Sequence, residues 1–167
     1  TQSPDIRTND KNKQYNKMSH ISLTYHIVWR TKYSQATICE EHEIELYRYI
    51  TGICTNKKSK LYRINSMPDH VHICVEITPT IAISEFMQVL KQETSKWMKT
   101  HPEWFPDFQA WGNGYAAFSY SAKERPRIIR YIMNQKNHHK KSNLKDEYEN
   151  LMNDFGLDAS TDLFLKD

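Results

Sequence analysis

Residues 68–77 read Pro68-Asp69-His70-Val71-His72-Ile73-Cys74-Val75-Glu76-Ile77. Side chains of a β-strand alternate between its two faces, so His70 and His72 would lie together on one face. The branched side chains of Val71 and Ile73 would lie on the other face and pack a core. The stretch therefore predicts a strand that supports a core on one side and presents two neighbouring imidazoles, a candidate pair of metal ligands, on the other.

The length of 167 residues predicts a single domain. We expect a disordered leader or expression remnant at residues 1–17, a catalytic domain at 18–155 and a loose acidic tail at 156–167. No apolar run approaches the roughly 20 residues that span a bilayer, and the polar first 17 residues do not resemble a secretory signal, which predicts a cytoplasmic protein with no membrane contact. The three cysteines form no Cys-x-x-Cys pair, which favours reduced thiols.

The order of predicted elements indicates the fold class. Alternating and helical apolar patterns predict a strand at 20–29, a helix at 40–55, and a strand at 60–67 that a turn at Met67-Pro68-Asp69 joins to the histidine strand as a hairpin. A helix follows Pro79 and ends before His101, and a strand is predicted at 115–121. A basic helix from Glu124 or Pro126 to Asn137 and a last helix through 144–155 complete the chain. This order predicts an α+β, ferredoxin-like (RRM-like) split β-α-β sandwich with an antiparallel sheet of four to five strands. Helices would cover one face, an extra C-terminal helix would be catalytic, and the other face of the sheet would be available for binding.

The basic helix carries a second group of reactive side chains. Tyr131 and Gln135 are four residues apart, so both would project from one side of the helix. If that helix lies beside the histidine strand, His70, His72 and the carbonyl oxygen of Gln135 could bind one divalent ion next to Tyr131. Mg²⁺ or Mn²⁺ is the expected ion, and ligand type alone leaves the choice between them open.

A tyrosine beside a metal ion suits phosphodiester cleavage. Its oxygen can attack phosphorus and hold the 5′ end of the broken strand covalently, which keeps the bond energy for rejoining. Deprotonating a tyrosine of pKa near 10 at pH 7 costs about 4 kcal/mol, so nearby positive charge is required. A divalent ion and neighbouring lysines and arginines would provide that charge.

The sequence resembles the IS200/IS605-type single-strand DNA transposases and their REP-associated relatives among the HUH endonucleases. The resemblance covers residues 18–154 and is carried by four blocks, namely Tyr25 to Tyr33, Met67 to His72, Gly114 to Ser119 and Tyr131 to Gln135. It implies that His70, His72 and Gln135 bind the metal and that Tyr131 forms a 5′-phosphotyrosine link. It also implies a homodimer acting on single-stranded DNA with subterminal hairpins at insertion-sequence ends.

Basic residues are unevenly distributed, although the formal net charge is only +3. Such segregation favours a phosphate-bearing ligand, and ordinary solvated helix faces are the alternative. The residues that we predict to face DNA are Arg30, Lys32, Lys57, Lys58, Arg127 and Lys136. Since the chain has no Gly-x-x-x-x-Gly-Lys loop, a nucleotide cofactor is not expected.

Three other functions remain open at this point. A non-catalytic single-strand nucleic-acid-binding module would use the sheet for base stacking. A metal-dependent hydrolase would use His70, His72 and either His138 or His139, and would release free ends through an activated water. A REP-associated hairpin nuclease would keep the tyrosine chemistry on scattered genomic hairpins. We do not favour His138 or His139 as ligands in the tyrosine enzyme, because neither is needed if Gln135 binds.

Overall fold

The computed structural model describes residues 20–159 and 164–166, so the predicted leader at residues 1–17 lies outside the described part. The elements follow the predicted order. They are β1 (Thr24–Arg30), a 3₁₀ turn (Lys32–Ser34), α1 (Glu43–Asn56), β2 (Lys60–Met67), β3 (His70–Glu76), α2 (Ile83–Lys99), β4 (Ala116–Tyr120), α3 (Arg125–Met133), α4 (Gln135–His138) and α5 (Leu144–Asp154). None of the described helices is long and apolar enough to cross a membrane.

The four strands form one antiparallel sheet in the order β2-β3-β1-β4. β2 and β3 are joined by the predicted tight turn at Pro68 and Asp69, and β3 lies in the middle of the sheet. The register places His72 opposite Val28 of β1 and opposite Asn65 of β2. The ferredoxin-like fold class is therefore confirmed, with four strands.

One face of the sheet packs the main core. Ile27 and Trp29 of β1 lie beside Val71 and Ile73 of β3, and all four side chains are fully buried. The apolar stripes of α1 and α2 cover them, with α2 contributing the buried row of Phe86, Met87 and Leu90. Because the core takes every second residue of β3, the two histidines of that strand must point to the opposite face.

The opposite face of the sheet is also covered, so the prediction that it is available for binding is wrong. Ile128 and Ile132 of α3 pack on Cys74 of β3. The stripe on α5 packs on apolar residues of β1 and β4. The buried members of this cluster are Val28, Ala116, Phe118, Leu144, Tyr148, Leu151, Met152 and Phe164. Apolar residues on this face need shielding from water, and the amphipathic helices after β4 provide it.

The predicted basic helix is divided into α3 and α4. The main chain leaves helical angles at Asn134 (φ −92°, ψ 9°), so Tyr131 lies in the last turn of α3 and Gln135 begins α4. The side-chain amide of Asn65, on β2, donates to the carbonyl oxygen of Ile132 at 2.8 Å. This hydrogen bond satisfies a carbonyl at the end of α3 and fixes the helix to the sheet beside His72.

The predicted tail contains a packed residue. Phe164 is buried, and the centroid of its ring lies 4.7 Å from that of Tyr148 on α5. Its carbonyl oxygen accepts a hydrogen bond of 2.9 Å from Nε of Arg30. We predicted a loose tail at residues 156–167, but in the structure Phe164 is held against Tyr148 of α5 and Arg30 of β1.

We expect Ile132→Ala to lower the free energy of unfolding by about 2 to 5 kcal/mol, because it leaves a cavity where α3 packs on the sheet. Met133→Ala is the matched control, since Met133 is the next residue on the helix and is 49% exposed. It should change the free energy by less than about 0.5 kcal/mol. Urea denaturation measures both, and equal effects would show that α3 does not dock through Ile132.

The three free cysteines should differ in reactivity with thiol reagents. Burial raises the pKa of Cys54 to about 12 and that of Cys74 to about 11. At pH 8 only about one Cys74 in a thousand would be a thiolate, whereas Cys39 is partly exposed. Alkylation of the native protein at pH 8, followed by mass spectrometry, should modify Cys39 first. Rapid modification of Cys74 would contradict the packing of α3.

Candidate functional site

β3 places His70 and His72 side by side beneath the second helical layer. Both side chains are fully buried. Nδ1 of His70 lies 2.6 Å from Oδ1 of Asp69, and Nδ1 of His72 lies 2.9 Å from Nε2 of His26 on β1. These partners occupy the Nδ1 atom of each ring, which leaves both Nε2 atoms directed into the site.

A carboxylate from α5 lies against these imidazoles. Oε2 of Glu147 is 3.4 Å from Nε2 of His72 and 3.7 Å from Nε2 of His70. The same oxygen is 2.9 Å from Nε2 of His139, which itself lies 3.1 Å from Nε2 of His70. One buried carboxylate therefore joins three histidines from two parts of the chain.

The second oxygen of Glu147 contacts the predicted tyrosine and glutamine. The hydroxyl of Tyr131 donates to Oε1 of Glu147, and Nε2 of Gln135 donates to the same atom at 2.7 Å. The ring of Tyr131 also lies edge-on to His26, with 5.6 Å between centroids. The structure thus brings Tyr131, Gln135 and both strand histidines together within one chain, whereas the sequence left open whether one chain or two would form the site.

The pattern of α5 explains how Glu147 reaches the sheet. Asn143 and Asp146 form a capping box that fixes the start of the helix. Glu147 is three residues after Leu144 and four before Leu151, so it lies within the apolar stripe that faces the sheet. A charged residue inside an apolar stripe was the signal in the sequence for this residue, which our sequence analysis missed.

The electrostatics keep Glu147 ionised and Tyr131 protonated. Burial opposes ionisation of Glu147, but the nearby imidazoles, His72 foremost, outweigh it and hold its pKa well below the usual range. Burial, followed by the negative charge of Glu147, raises the pKa of Tyr131 above its usual value. Burial and then His72 lower the pKa of His26 to about 3, so this ring is neutral at physiological pH.

The site has the donors of a metal centre. His70, His72, His139 and Glu147 each offer one ligand atom, and the four atoms lie within 4.8 Å of one another. Nε2 of His72 is buried without a hydrogen-bonding partner, as is Oε1 of Gln135. Buried polar atoms without partners are costly, and a bound cation would satisfy a lone pair on each atom that it contacts. The donor set therefore fits a divalent cation.

Two of the six predicted DNA-facing residues are already engaged in the structure. Arg30 is 1% exposed and donates to the carbonyl of Phe164, so its guanidinium does not reach solvent here. Nζ of Lys136 lies 2.9 Å from a carboxylate oxygen of Glu40 and also contacts Glu43. Lys136 is thus paired with carboxylates, whereas Arg30 donates to main-chain carbonyl oxygens.

The other four basic residues are distributed over the surface. Lys57 and Lys58 come just before β2. The first residue of that strand, Lys60, pairs with Glu76, so these lysines lie at the opposite end of the strands from His70. The exposed Arg127 lies at the start of α3, 3.4 Å from Glu124. Lys32 follows β1 at the end of the sheet that carries His70, and Nζ lies 5.1 Å from the centroid of the Tyr33 ring.

Comparison with known proteins gives consistent matches. The family described as "Transposase IS200 like" matches residues 19–135. The chain is 28% identical to the ISDra2 transposase TnpA of Deinococcus radiodurans over 119 residues, which cover 68% of this chain and 84% of that protein. It is 30% identical to the transposase for insertion sequence element IS200 of Salmonella typhimurium over 71 residues, or 42% of this chain and 47% of that protein.

Solved structures show the same fold. A crystal structure of a transposase candidate from Deinococcus radiodurans has a TM-score of 0.54 and 27% identity, and the match covers 70% of this chain and 94% of that one. A REP-associated tyrosine transposase bound to a REP hairpin has a TM-score of 0.56 and covers 73% of this chain and 74% of that one. At 12% identity, this second likeness concerns the fold alone.

A double-mutant cycle tests the contact between Tyr131 and Glu147 in the metal-free protein. We expect Tyr131→Phe and Glu147→Gln to be coupled by about 1 to 3 kcal/mol, because a hydrogen bond to a buried charge is lost in either variant. The measurement is urea denaturation in EDTA at several protein concentrations. Tyr33→Phe, at a residue 63% exposed, should show no coupling with Glu147→Gln.

The series of protein concentrations distinguishes a contact within one chain from a contact between two chains. A coupling energy that is independent of protein concentration is expected for the contact within one chain. Coupling near zero, or coupling that grows with concentration, would contradict the arrangement of Tyr131 and Glu147 in a single chain.

Proposed function

Because the chain belongs to the IS200-like transposase family, whose match spans residues 19–135, we propose that it cuts single-stranded DNA and rejoins it through a 5′-phosphotyrosine link to Tyr131. The expected substrate is single-stranded DNA with subterminal hairpins at insertion-sequence ends, and the expected assembly is a homodimer. The single observation that carries the proposal is that the hydroxyl of Tyr131 and the imidazole of His72 share the carboxylate of Glu147.

The strand histidines are the first candidates to hold a divalent cation, Mg²⁺ or Mn²⁺. Their Nε2 atoms point into the site while Asp69 and His26 occupy their Nδ1 atoms, an arrangement that fixes ligand histidines. When bound, such a cation would polarise the phosphate oxygens and stabilise charge on the leaving 3′ oxygen. Gln135 is the third ligand that the sequence predicts, and its Oε1 is buried without a hydrogen-bonding partner.

Tyr131 is the proposed nucleophile. Its oxygen would form a bond to phosphorus while the bond from phosphorus to the 3′ oxygen breaks, leaving a 3′-hydroxyl and a 5′-phosphotyrosine. The proton of Tyr131 already points at Glu147, so it has an acceptor along the existing hydrogen bond. Rejoining reverses these bonds, because the 3′-hydroxyl of a second strand attacks the phosphotyrosine and Tyr131 takes back a proton. No external energy source is needed, since one phosphodiester is exchanged for another.

A surface cavity lies beside the site, at His139. Its volume is about 380 Å³, and its lining includes Asp69, His139, Lys141 and Asn143. The rings of His70 and His72 are covered by the helices, and His139 is the member of the imidazole cluster that lines this opening. Lys141 is exposed at this opening and offers a positive charge to the incoming backbone.

A metal-dependent hydrolase is the second candidate, and the position of His139 favours it. The ligands predicted for that activity are His70, His72 and either His138 or His139, and Nε2 of His139 lies 3.1 Å from Nε2 of His70. Such an enzyme would pass the phosphate to water and would form no covalent bond to Tyr131. The fate of the new 5′ end separates the two mechanisms.

We expect the wild-type protein to form a covalent adduct with DNA that Tyr131→Phe abolishes. The substrate is a pool of 3′-labelled single-stranded oligonucleotides with hairpins and randomised flanks, incubated with Mn²⁺ and analysed on a denaturing protein gel. Because the link holds the 5′ end of the downstream strand, the 3′ label should move with the protein. Tyr120→Phe is the control, since Tyr120 is a half-buried tyrosine on β4, and it should leave the adduct intact.

The other outcomes are equally informative. Labelled fragments with free 5′-phosphates and no adduct would establish the hydrolase and exclude the tyrosine mechanism. Uncut DNA that nevertheless binds the protein would favour a non-catalytic binding module.

A further inference from the structure

We infer that the segment after α3 completes the metal centre: His139 and Glu147 bind the cation together with His70 and His72, and Gln135 positions Glu147 instead of binding the ion. This inference rests on the proposed function only in that both require a divalent cation at the strand histidines. Residues 139 and 147 lie beyond the range that matches the family, which ends at residue 135. The proposed ligands His139 and Glu147 therefore rest on the structure of this chain and not on the family match.

The distances between the four ligand atoms agree with a shared ion. Ligands about 2.0 to 2.2 Å from one ion stand about 3.3 to 3.6 Å apart in a tetrahedron and about 2.8 to 3.1 Å apart at neighbouring octahedral positions. Oε2 of Glu147 lies 2.9, 3.4 and 3.7 Å from Nε2 of His139, His72 and His70, respectively. Nε2 of His70 and His139 are 3.1 Å apart. These separations of 2.9 to 3.7 Å are close to the values for one shared ion, and all four ligand atoms lie within 4.8 Å of one another.

The outer contacts of the ligands also suit metal binding. Oδ1 of Asp69 can accept the Nδ1 proton of His70, and Nε2 of His26 can accept that of His72. Each acceptor fixes the tautomer that directs a lone pair on Nε2 toward the ion. On the carboxylate, Oε1 is held by Tyr131 and Gln135, which leaves Oε2 for the cation. All three described contacts of Glu147 Oε2 are to imidazole nitrogens.

Gln135 is bonded through its nitrogen. Nε2 donates to Oε1 of Glu147 at 2.7 Å, and Gln135 itself is fully buried. An amide nitrogen has no lone pair for a metal, so the contact observed in the structure is that of a residue that orients a ligand.

The donor set favours one of the two expected ions. Mg²⁺ prefers oxygen ligands and retains several waters, whereas imidazole nitrogen suits transition metals better. Three imidazoles and one carboxylate therefore predict that Mn²⁺ binds more tightly than Mg²⁺. Because two ligands belong to the chain after α3, metal binding should also stabilise the docking of α5 on the sheet.

Mn²⁺ titration calorimetry on the full chain without DNA tests the ligand set. We expect Glu147→Gln and His139→Asn each to weaken Mn²⁺ binding by about tenfold or more. His138→Asn is the matched control, because His138 is the exposed neighbour of His139, and it should bind Mn²⁺ as the wild type does. Melting curves with EDTA and with Mn²⁺ provide a second readout, in which the metal-dependent rise in Tm should shrink only in the first two variants.

Gln135→Glu separates the two roles of Gln135 by the sign of its effect. If the oxygen of Gln135 were a ligand, a carboxylate at this position would strengthen Mn²⁺ binding. If Gln135 holds Glu147 by donating a hydrogen bond, the substitution removes the donor, places two carboxylates together and weakens binding. Stronger binding by Gln135→Glu, or unchanged binding by both His139→Asn and Glu147→Gln, would overturn the inference.

The outcome is independent of the DNA reaction. Weakened Mn²⁺ binding in both variants without any protein-DNA adduct would uphold the ligand set and reject the tyrosine mechanism. If the wild type forms a metal-dependent adduct, but neither His139→Asn nor Glu147→Gln changes the affinity for Mn²⁺, the tyrosine mechanism would be upheld and the ligand set rejected. If Glu147→Gln fails to fold, as judged by circular dichroism in EDTA, His139→Asn and its His138→Asn control still decide the question. A wild-type protein that binds no Mn²⁺ overturns the inference outright.

Discussion

A buried carboxylate constrains this structure more than any other group. Glu147 carries a charge into the interior, and an uncompensated charge there would cost several kcal/mol. Its two oxygens are satisfied by imidazoles on one side and by Tyr131 and Gln135 on the other. These partners belong to β3, α3, α4 and the segment before α5. The charge of Glu147 can therefore be accommodated only when all these elements are packed together. The stability of the fold thus depends on the contacts within the site, just as the site depends on the fold.

The sheet and the helices have different tasks in this arrangement. β3 is a central strand with hydrogen-bonded neighbours on both sides, so the positions of His70 and His72 are fixed by the backbone ladder. The remaining groups arrive on helices held by apolar contacts, namely Ile132 on Cys74 and the stripe of α5 on β1 and β4. A rigid pair of imidazoles is thus combined with side chains whose positions depend on packing, and small changes in that packing would alter the site without disturbing the sheet.

The sequence predicted the strand-borne part of the site better than the helix-borne part. Strict alternation left His70 and His72 only one face to occupy, and the order of elements was sufficient for the ferredoxin-like fold. Glu147 was missed because its helix was interpreted from the apolar residues around it, and the charge that lies within that stripe was not considered. His139 was disfavoured because Gln135 already completed the expected ligand set. Its position depends on the turn after α4, and no periodic pattern describes a turn of this kind.

The order of these elements along the chain bears on how the protein is made. The four strands end at Tyr120, whereas Tyr131, His139 and Glu147 follow in the next 27 residues. A ribosome adding about 5 to 20 residues per second needs roughly 1 to 5 s to complete that stretch. A nascent polypeptide would expose a nearly finished sheet with its two histidines before Tyr131 could join them. Translation itself would keep the half-made polypeptide inert toward DNA.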